Sequence, residues 1–589
     1  MTVPVFESEN LNMLWASIIV EELVRNGIDY FCISPGSRSS PLTISVAKNK
    51  KARLVMCYDE RGAGFHALGF ARATHRPAVV ITTSGTAVAN CFPAVVEASM
   101  ECVPMILLTA DRPPELQDTK ANQTIDQSHI FGRYVRYFFN LLCPESDVSP
   151  CVPLTTVDQA VFRAVSAPKG PVHINCMFRE PLSPEKKDFP KGYADCLKSW
   201  AKKSNPYTTY RLPIISISET EAKEICQIMN SAENGLVIAG SIDIGKRDSV
   251  LKLINKAKWP VFSDIRSHLP YFLSKNIVPF FPLFLSAVLP DVSFDVVLHI
   301  GRTLVSKHMM QLLEEKSPDH YIVVKEDPFR QDMNHISTMH VQTDIEKFCE
   351  MILPYLNTKK SSSFDMLMKI SSEIKNLLGL LFKKNELNEA TLAYWISQII
   401  PENSVLFLSN SMPIRDMDMY SDFKSNIMIG ANRGASGIDG IIATATGFAT
   451  GAERITTLII GDLAFIHDLN SLFLLKKIDI PLILILINNN GGGIFWFLPI
   501  SAFSELCEQY FIAPHNVSSF RELICFFDIP YFYVSNREEL INAYKQCVNS
   551  SGSAVIEVGI NRKKNLSFHR SVQSKIKELY RFCDLSFRR

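Results

Sequence analysis

The chain has 589 residues, 47% hydrophobic and 21% charged, enough for two to four domains of roughly 100–200 residues with large cores. Its 61 basic and 60 acidic residues leave a formal charge of +1. Nucleic acid is therefore not expected as a partner, because such partners call for a basic excess or stripe, whereas a local basic site for a small acid is compatible. The 14 cysteines are scattered without a C-x-x-C pair, which disfavours zinc and disulfide frameworks and predicts buried reduced thiols. The N-terminus, MTVPVFESENLNML, lacks the basic-then-apolar order of a signal peptide. The most apolar run, residues 481–487, is far shorter than the ~20 residues of a spanning helix. These features predict a cytoplasmic protein without membrane insertion.

The first segment alternates apolar runs with helical patterns: strands at 30–34, 78–82 and 105–108, and helices over 64–73 and 88–101. Such alternation argues for a parallel sheet covered by helices. Residues 180–209 turn rich in Lys, Pro and Ser and read as a linker. A second α/β segment follows, with strands at 235–239, 261–263, 296–300 and 321–324. KKSSS at 359–363 marks another break. The third segment has strands at 405–408, 457–460, 482–487 and 554–558. No repeat links the three segments. The expected architecture is α/β, three doubly wound parallel-sheet domains over residues 1–185, 210–355 and 385–589.

The third segment carries the most specific chemistry. ITTLIIGDLAFIHDLNSLFLLKK reads as a buried strand, a tight Gly461-Asp462 turn and a helix with apolar residues at Phe465, Ile466, Leu469, Leu472 and Phe473. Such a turn presents free N–H groups to an anion, and Asp462 offers a hard oxygen to Mg²⁺. The next strand, PLILILI, ends in Asn488-Asn489-Asn490-Gly491-Gly492-Gly493. Asn489 follows Asp462 by 27 positions, the length of a strand–helix–strand crossover, so both side chains emerge at one sheet edge. Alone, Gly-Asp is an ordinary turn and Asn-Asn-Asn-Gly an ordinary loop; the pairing makes them a site. Here the chain resembles the thiamine-diphosphate-dependent enzymes, whose signature is Gly-Asp-x followed by Asn-Asn. The usual third glycine is Leu463, a departure that bears on the subfamily rather than on the cofactor. The resemblance implies thiamine diphosphate with Mg²⁺ or Mn²⁺, metal ligands Asp462, Asn489 and the carbonyl of Gly491, and cofactor contacts from Gly461, Leu463 and Ala464.

These enzymes need a carboxylate against the aminopyrimidine ring to drive the proton transfer that activates the cofactor. Glu60, in VMCYDERGAGFHALGFARAT, follows a strand-like run and opens a small-residue helix. A lone Glu there is ordinarily just a favourable charge at the helix dipole. Its order ahead of ITTSGTAVANCFPAVVEAS and PMILLTADRP resembles the pyrimidine-binding domain of this superfamily. The resemblance makes Glu60 catalytic and cofactor-binding. It also implies a cofactor held between two subunits, hence a homodimer at least, with pairing into a homotetramer left open.

Finer blocks narrow the family: ISPGSRSSPL (33–42), TADRPPEL (109–116), ANQTIDQ (121–127), SNSMPIRDMD (409–418), ANRGASGIDG (431–440), GDLAFIHDLNSL (461–472) and NNNGGGIFWFLP (488–499). These resemble the 2-succinyl-5-enolpyruvyl-6-hydroxy-3-cyclohexene-1-carboxylate synthase family of menaquinone biosynthesis, over the first and third domains nearly end to end and the middle one weakly. The activity implied is decarboxylation of 2-oxoglutarate and addition of the remaining unit to isochorismate. By resemblance, Arg415 and Arg433 hold the 2-oxoglutarate carboxylate with Ser411 nearby. Ser37, Arg38, Arg112, Asn122 and Gln123 face isochorismate. Ile438 is the apolar wedge that bends the cofactor, and Ile494 and Phe495 line the pocket. Each of these three is equally credible as core filler. Lys307 is a further substrate contact, although His308 stands where the family often has Arg.

Four arginines in strand-end loops suit dicarboxylates, since the guanidinium fork matches a carboxylate, while any single one could be a structural ion-pair residue. Positive charge placed at the scissile carboxylate would stabilise the ground state, so the arginines belong at distal carboxylates. An acetohydroxyacid synthase or a simple 2-oxoacid decarboxylase is the rival within the superfamily and would not need this set. A non-catalytic scaffold is the rival outside it, disfavoured by intact Glu60, Asp462 and Asn489. GLVIAGS at 235–241 lacks G-x-G-x-x-G and is weak evidence for a nucleotide.

Overall fold

The computed structural model describes residues 8–383 and 386–587, with side chains to residue 582. The N-terminal MTVPVFE, the expected domain start at 385 and the Cys583 side chain lie outside the described residues. The chain divides into two compact units: one holds residues 1–213, 432–454 and 464–482, the other 214–431, 455–463 and 483–589.

In the first unit, β1 Tyr30–Ile33, β2 Arg53–Met56, β3 Ala78–Thr82, β4 Met105–Asp111, β5 Tyr137–Leu141 and β6 Pro171–Met177 form a parallel sheet of order β2-β1-β3-β4-β6-β5. Helix Glu60–Thr74 opens on Asp59, whose side chain accepts the Arg61 N–H. This helix packs on helix Ile441–Ala452 through backbone rather than side chains. A Cβ on Gly447 would lie 1.9 Å from the His66 carbonyl oxygen, so only glycine fits that crossing. His66, between the two helices, bonds Tyr30 Oη at 2.8 Å and Thr446 Oγ1 at 2.9 Å. Burial pushes its pKa down to about 4, leaving it neutral.

The second unit carries two sheets. One contains β7 Gly235–Ala239, β8 Val261–Ser263, β9 Val296–Ile300, β10 His320–Lys325 and β11 Met339–Gln342, in the order β11-β10-β9-β7-β8. The other contains β12 Val405–Leu408, β13 Met428–Ala431, β14 Thr456–Gly461, β15 Leu482–Asn488, β16 Tyr531–Val534 and β17 Ala554–Gly559, in the order β13-β12-β14-β15-β17-β16. Their apolar faces share a core with helix Phe364–Leu381, which buries Leu367, Ile370, Ile374 and Leu378.

Four expectations need correction. Residues 180–209 are not a free linker: Leu197 and Trp200 are buried, and Trp200 Nε1 donates to Glu22 Oε2 at 2.5 Å. The helix expected over 88–101 breaks at Cys91 into Thr86–Asn90 and Phe92–Met100, because Pro93 in the first turn of the second piece has no N–H to continue the first. The helix after Asp462 ends at His467, followed by a 3₁₀ turn Leu469–Ser471 and a short helix Leu472–Leu475. There the buried Asp468 carboxylate accepts the Ala443 N–H and the Ser471 hydroxyl instead of facing solvent, and Ile466 and Phe473 stay exposed. The described cysteines are free, and Cys196 and Cys525 are exposed rather than buried. No described helix is long and apolar enough to cross a membrane.

Candidate active site

In the second unit the sheet order reverses between β12 and β14, and the loops leaving that edge carry the candidate site. A crevice at such a carboxyl edge is where α/β sheets bind ligands. Asp462, immediately after β14, is buried. Its Oδ2 accepts the N–H of Asn489 at 3.1 Å and of Gly491 at 3.0 Å, and its Oδ1 accepts the Leu463 N–H at 2.7 Å. Thus the expected Asp–Asn pairing across β14 and β15 is present. Gly491 sits at φ +126, and a Cβ there would lie 2.4 Å from the Ile512 carbonyl oxygen. Its own carbonyl accepts from Gly493 N–H at 2.8 Å and keeps a second lone pair.

Asn489 supplies the fit test for a cation. Its Nδ2 donates to Glu389 Oε1 at 2.8 Å, while its Oδ1 is buried with no partner. A buried carbonyl oxygen left bare costs about 1–3 kcal/mol, and a hard cation would satisfy it together with Asp462. No cluster of three His, Cys, Asp or Glu among the described residues could hold a metal, so a site here depends on amide and carbonyl oxygens beside the Asp462 carboxylate. The donor set fits Mg²⁺ or Mn²⁺.

Two residues absent from the sequence reading join this site. His515 Nε2 lies 3.1 Å from Asp462 Oδ2, and Arg562 Nη1 donates to the Asn490 carbonyl at 2.8 Å. Neither falls in a motif, and only the folding of distant loops brings them in.

Beside the switch point the second unit forms an open cavity of about 540 Å³. Lys307, Arg415 and Arg570 bring positive charge to its wall, Asp418 negative charge, and Met412, Ile494 and Trp496 apolar surface. Ser411, at the start of helix Met412–Tyr420, has φ 71 and ψ −132, a strained conformation of the kind that collects at functional sites. Its carbonyl accepts from Arg415 Nη1 at 2.6 Å. Burial pushes the Arg415 guanidinium below its ordinary value. Phe495 packs edge-on against Phe511.

The first unit gathers a second set. Arg112 Nη1 bonds Ser84 Oγ and the Gln123 carbonyl, and Gln123 Nε2 donates to the Ser84 carbonyl at 2.9 Å. Burial and the charge of neighbouring Arg38 hold Arg112 below its usual range. Arg38 itself donates to the Phe178 carbonyl at 2.9 Å and pairs with Glu180 at 3.3 Å. Ser37 and Asn122 are exposed. Glu60 is the first residue of its helix and takes a 3.3 Å hydrogen bond from Asn90. Arg433 is half-buried, and Ile438 is 36% exposed, so Ile438 is not core filler within its unit. Gly461, Leu463 and Ala464 flank Asp462 at the β14 edge.

Residues 13–130 match the thiamine pyrophosphate enzyme N-terminal TPP binding domain, 191–408 the middle domain of thiamine pyrophosphate enzymes, and 423–558 the C-terminal TPP binding domain. The 2-succinyl-5-enolpyruvyl-6-hydroxy-3-cyclohexene-1-carboxylate synthase of Rubrobacter xylanophilus is 41% identical over 568 residues, covering 95% of this chain and 98% of its own. The proteins of that name from Pelodictyon phaeoclathratiforme and Prosthecochloris aestuarii are 40% and 41% identical, over 97% and 96% of this chain and 97% and 98% of their own. The chain belongs to the 2-succinyl-5-enolpyruvyl-6-hydroxy-3-cyclohexene-1-carboxylate synthase family of thiamine pyrophosphate enzymes.

Proposed function

We propose that the protein decarboxylates 2-oxoglutarate and joins the remaining four-carbon unit to isochorismate, as a transferase of menaquinone biosynthesis. The observation that carries this reading is the basic cavity of the second unit. Arg415 is half-buried there, and its sequence neighbour Asp416 is driven by burial well above the usual carboxylate range. A substrate carboxylate would give the guanidinium a counter-ion inside the cavity. Lys307 and Arg570 line the same cavity, whose size suits a small dicarboxylate.

Bound thiamine diphosphate supplies the electron sink for loss of CO₂. Asp462, Asn489 and the Gly491 carbonyl would hold the Mg²⁺ or Mn²⁺ that neutralises its diphosphate. Gly461, Leu463 and Ala464 would flank that group, and Ile438, Ile494 and Phe495 would supply apolar contacts. Glu60 would hold a proton at the ring nitrogen facing it. Arg415 and Arg433 would grip the distal carboxylate of 2-oxoglutarate, with Ser411 and Lys307 alongside. Ser37, Arg38, Arg112, Asn122 and Gln123 would bind isochorismate. The active unit in this reading is a homodimer in the cytoplasm, with Glu60 reaching the partner's cofactor.

The test is donor competition with isochorismate fixed and product identified by mass. Pyruvate lacks the distal carboxylate. A charge-assisted hydrogen bond is worth about 1.5–3 kcal/mol, or roughly one to two decades in kcat/KM per arginine engaged. Pyruvate should be poor in the wild type, and Arg415→Ala and Arg433→Ala should lose rate mainly with 2-oxoglutarate. Equal use of both donors by the wild type would refute the substrate assignment.

A further inference from the structure

Glu389 opens helix Glu389–Ile399 and is only 3% exposed. An acid at a helix start is ordinarily explained by the dipole, but this one is buried and engaged from both sides. Its Oε1 accepts the Asn489 side-chain N–H at 2.8 Å, and its backbone N–H donates to Asn565 Oδ1 at 3.1 Å. The buried Asp416 carboxyl neighbours it, and as bare acceptors Glu389 Oε2 and both Asp416 oxygens have no partner. Two carboxylates cannot bond each other until one carries a proton. Burial raises both carboxyls above the usual carboxylate range. Beyond Asp416, His569 Nε2 lies 3.6 Å from Oδ1, and His569 Nδ1 bonds Tyr420 Oη at 2.9 Å. His569 also lines the basic cavity. A row of buried polar groups thus runs from Asn489 to the cavity wall.

We propose that Glu389 is the positioning residue of the metal site: its carboxyl takes the Asn489 amide N–H and so leaves the amide oxygen for the cation. The Asn489 amide turns its nitrogen toward Glu389 Oε1 and leaves its buried oxygen without a protein partner. Without that acceptor the amide is free to rotate and offer N–H groups to the cation, which repels them. Burying two carboxyls is otherwise unfavourable, and an apolar pair would fill the same space at lower cost. This inference rests on Asn489 being a metal ligand.

The experiment titrates Mg²⁺ into the full-length protein at fixed thiamine diphosphate and reads cofactor loading by calorimetry, with folding checked by circular dichroism. Asn489→Ala should raise the Mg²⁺ needed for half-loading. Glu389→Met, similar in size and without an acceptor, should raise it about 10–100-fold, the range for lost partners of metal ligands. Glu389→Gln keeps an acceptor oxygen and should restore the wild-type requirement. If Glu389→Met does not fold, Glu389→Ala, which cannot overfill the site, takes its place with the same expected shift. A shifted Asn489→Ala beside an unshifted Glu389→Met overturns the positioning role while leaving the ligand intact. Equal damage from Gln and Met overturns it too, because the acceptor would then not matter. An unshifted Asn489→Ala instead overturns the ligand assignment itself.

Discussion

Replacing Asp462 with alanine tests the hydrogen-bond structure of the site apart from its chemistry. The carboxylate accepts the N–H groups of Asn489, Gly491 and Leu463 and lies within bonding distance of His515. Alanine leaves the Asn489 and Gly491 donors, both in buried residues, without an acceptor. Each orphaned donor costs about 1–3 kcal/mol. Amide exchange over residues 488–493 should therefore quicken by roughly one to two decades in the protein free of cofactor, since about 1.4 kcal/mol corresponds to tenfold. In a second arm, calorimetry with limiting Mg²⁺ should show weakened thiamine diphosphate binding, because the diphosphate loses part of its charge compensation. Wild-type exchange in that peptide would refute the hydrogen-bond reasoning. Unchanged cofactor affinity would show that the metal site is misplaced.

Glu60→Gln keeps the shape and loses the ionisable proton site, so turnover should fall at least about 100-fold while calorimetry still finds cofactor bound; near-normal turnover would refute the assignment. His66 has a folded pKa of about 4, below the roughly 6.5 of an unfolded histidine. Its contribution is therefore present above pH 6.5 and lost as pH falls toward 4. The gap in thermal midpoint between wild type and His66→Gln should narrow over that window, and a gap constant with pH would contradict the neutral, buried histidine.

Most strands read with their exact bounds are interior ones. β3, β7, β9 and β12 match because an interior parallel strand is apolar on both faces and ends abruptly, and the short edge strand β8 matches as well. Most of the strands given no bounds from sequence, β2, β5, β11, β13 and β16, lie at sheet edges. RLVM in β2 is exposed or half-buried throughout, and an edge strand need not carry a continuous apolar run. β6 is the exception: it is fully buried, yet His173 and Asn175 interrupt its apolar run. Thr109 bonds His173 Nε2 and Asn175, and Gln127 donates to Asn175, while His173 Nδ1 has no partner; no local pattern announces these contacts. The site divides the same way. Asp462 and Asn489 were legible because each ends a strand whose neighbour is one crossover away. Glu389, Asp416 and His515 were not, because a buried acid or histidine looks identical in sequence to a solvated one.

Strand order explains why so many candidates fall at strand ends in two segments with no sequence repeat. The first sheet runs β2-β1-β3-β4-β6-β5 and the third β13-β12-β14-β15-β17-β16, the same topology with the index advanced. In the first, Ser37 and Arg38 follow β1, Glu60 follows β2 and Arg112 follows β4. In the third, Ser411 follows β12, Arg433 follows β13 and Asn489 follows β15. Asp462 adds a position after β14, where the first sheet places the Ser84–Gly85 turn that contacts Gln123. Corresponding strands thus end in different chemistry: a carboxylate after β2 where the third sheet has a guanidinium after β13, and a guanidinium after β4 where it has an amide after β15. A carboxyl edge supplies loops that change residue type without disturbing the buried strands beneath them. One topology can therefore carry different candidate chemistry at the carboxyl edges of its two sheets.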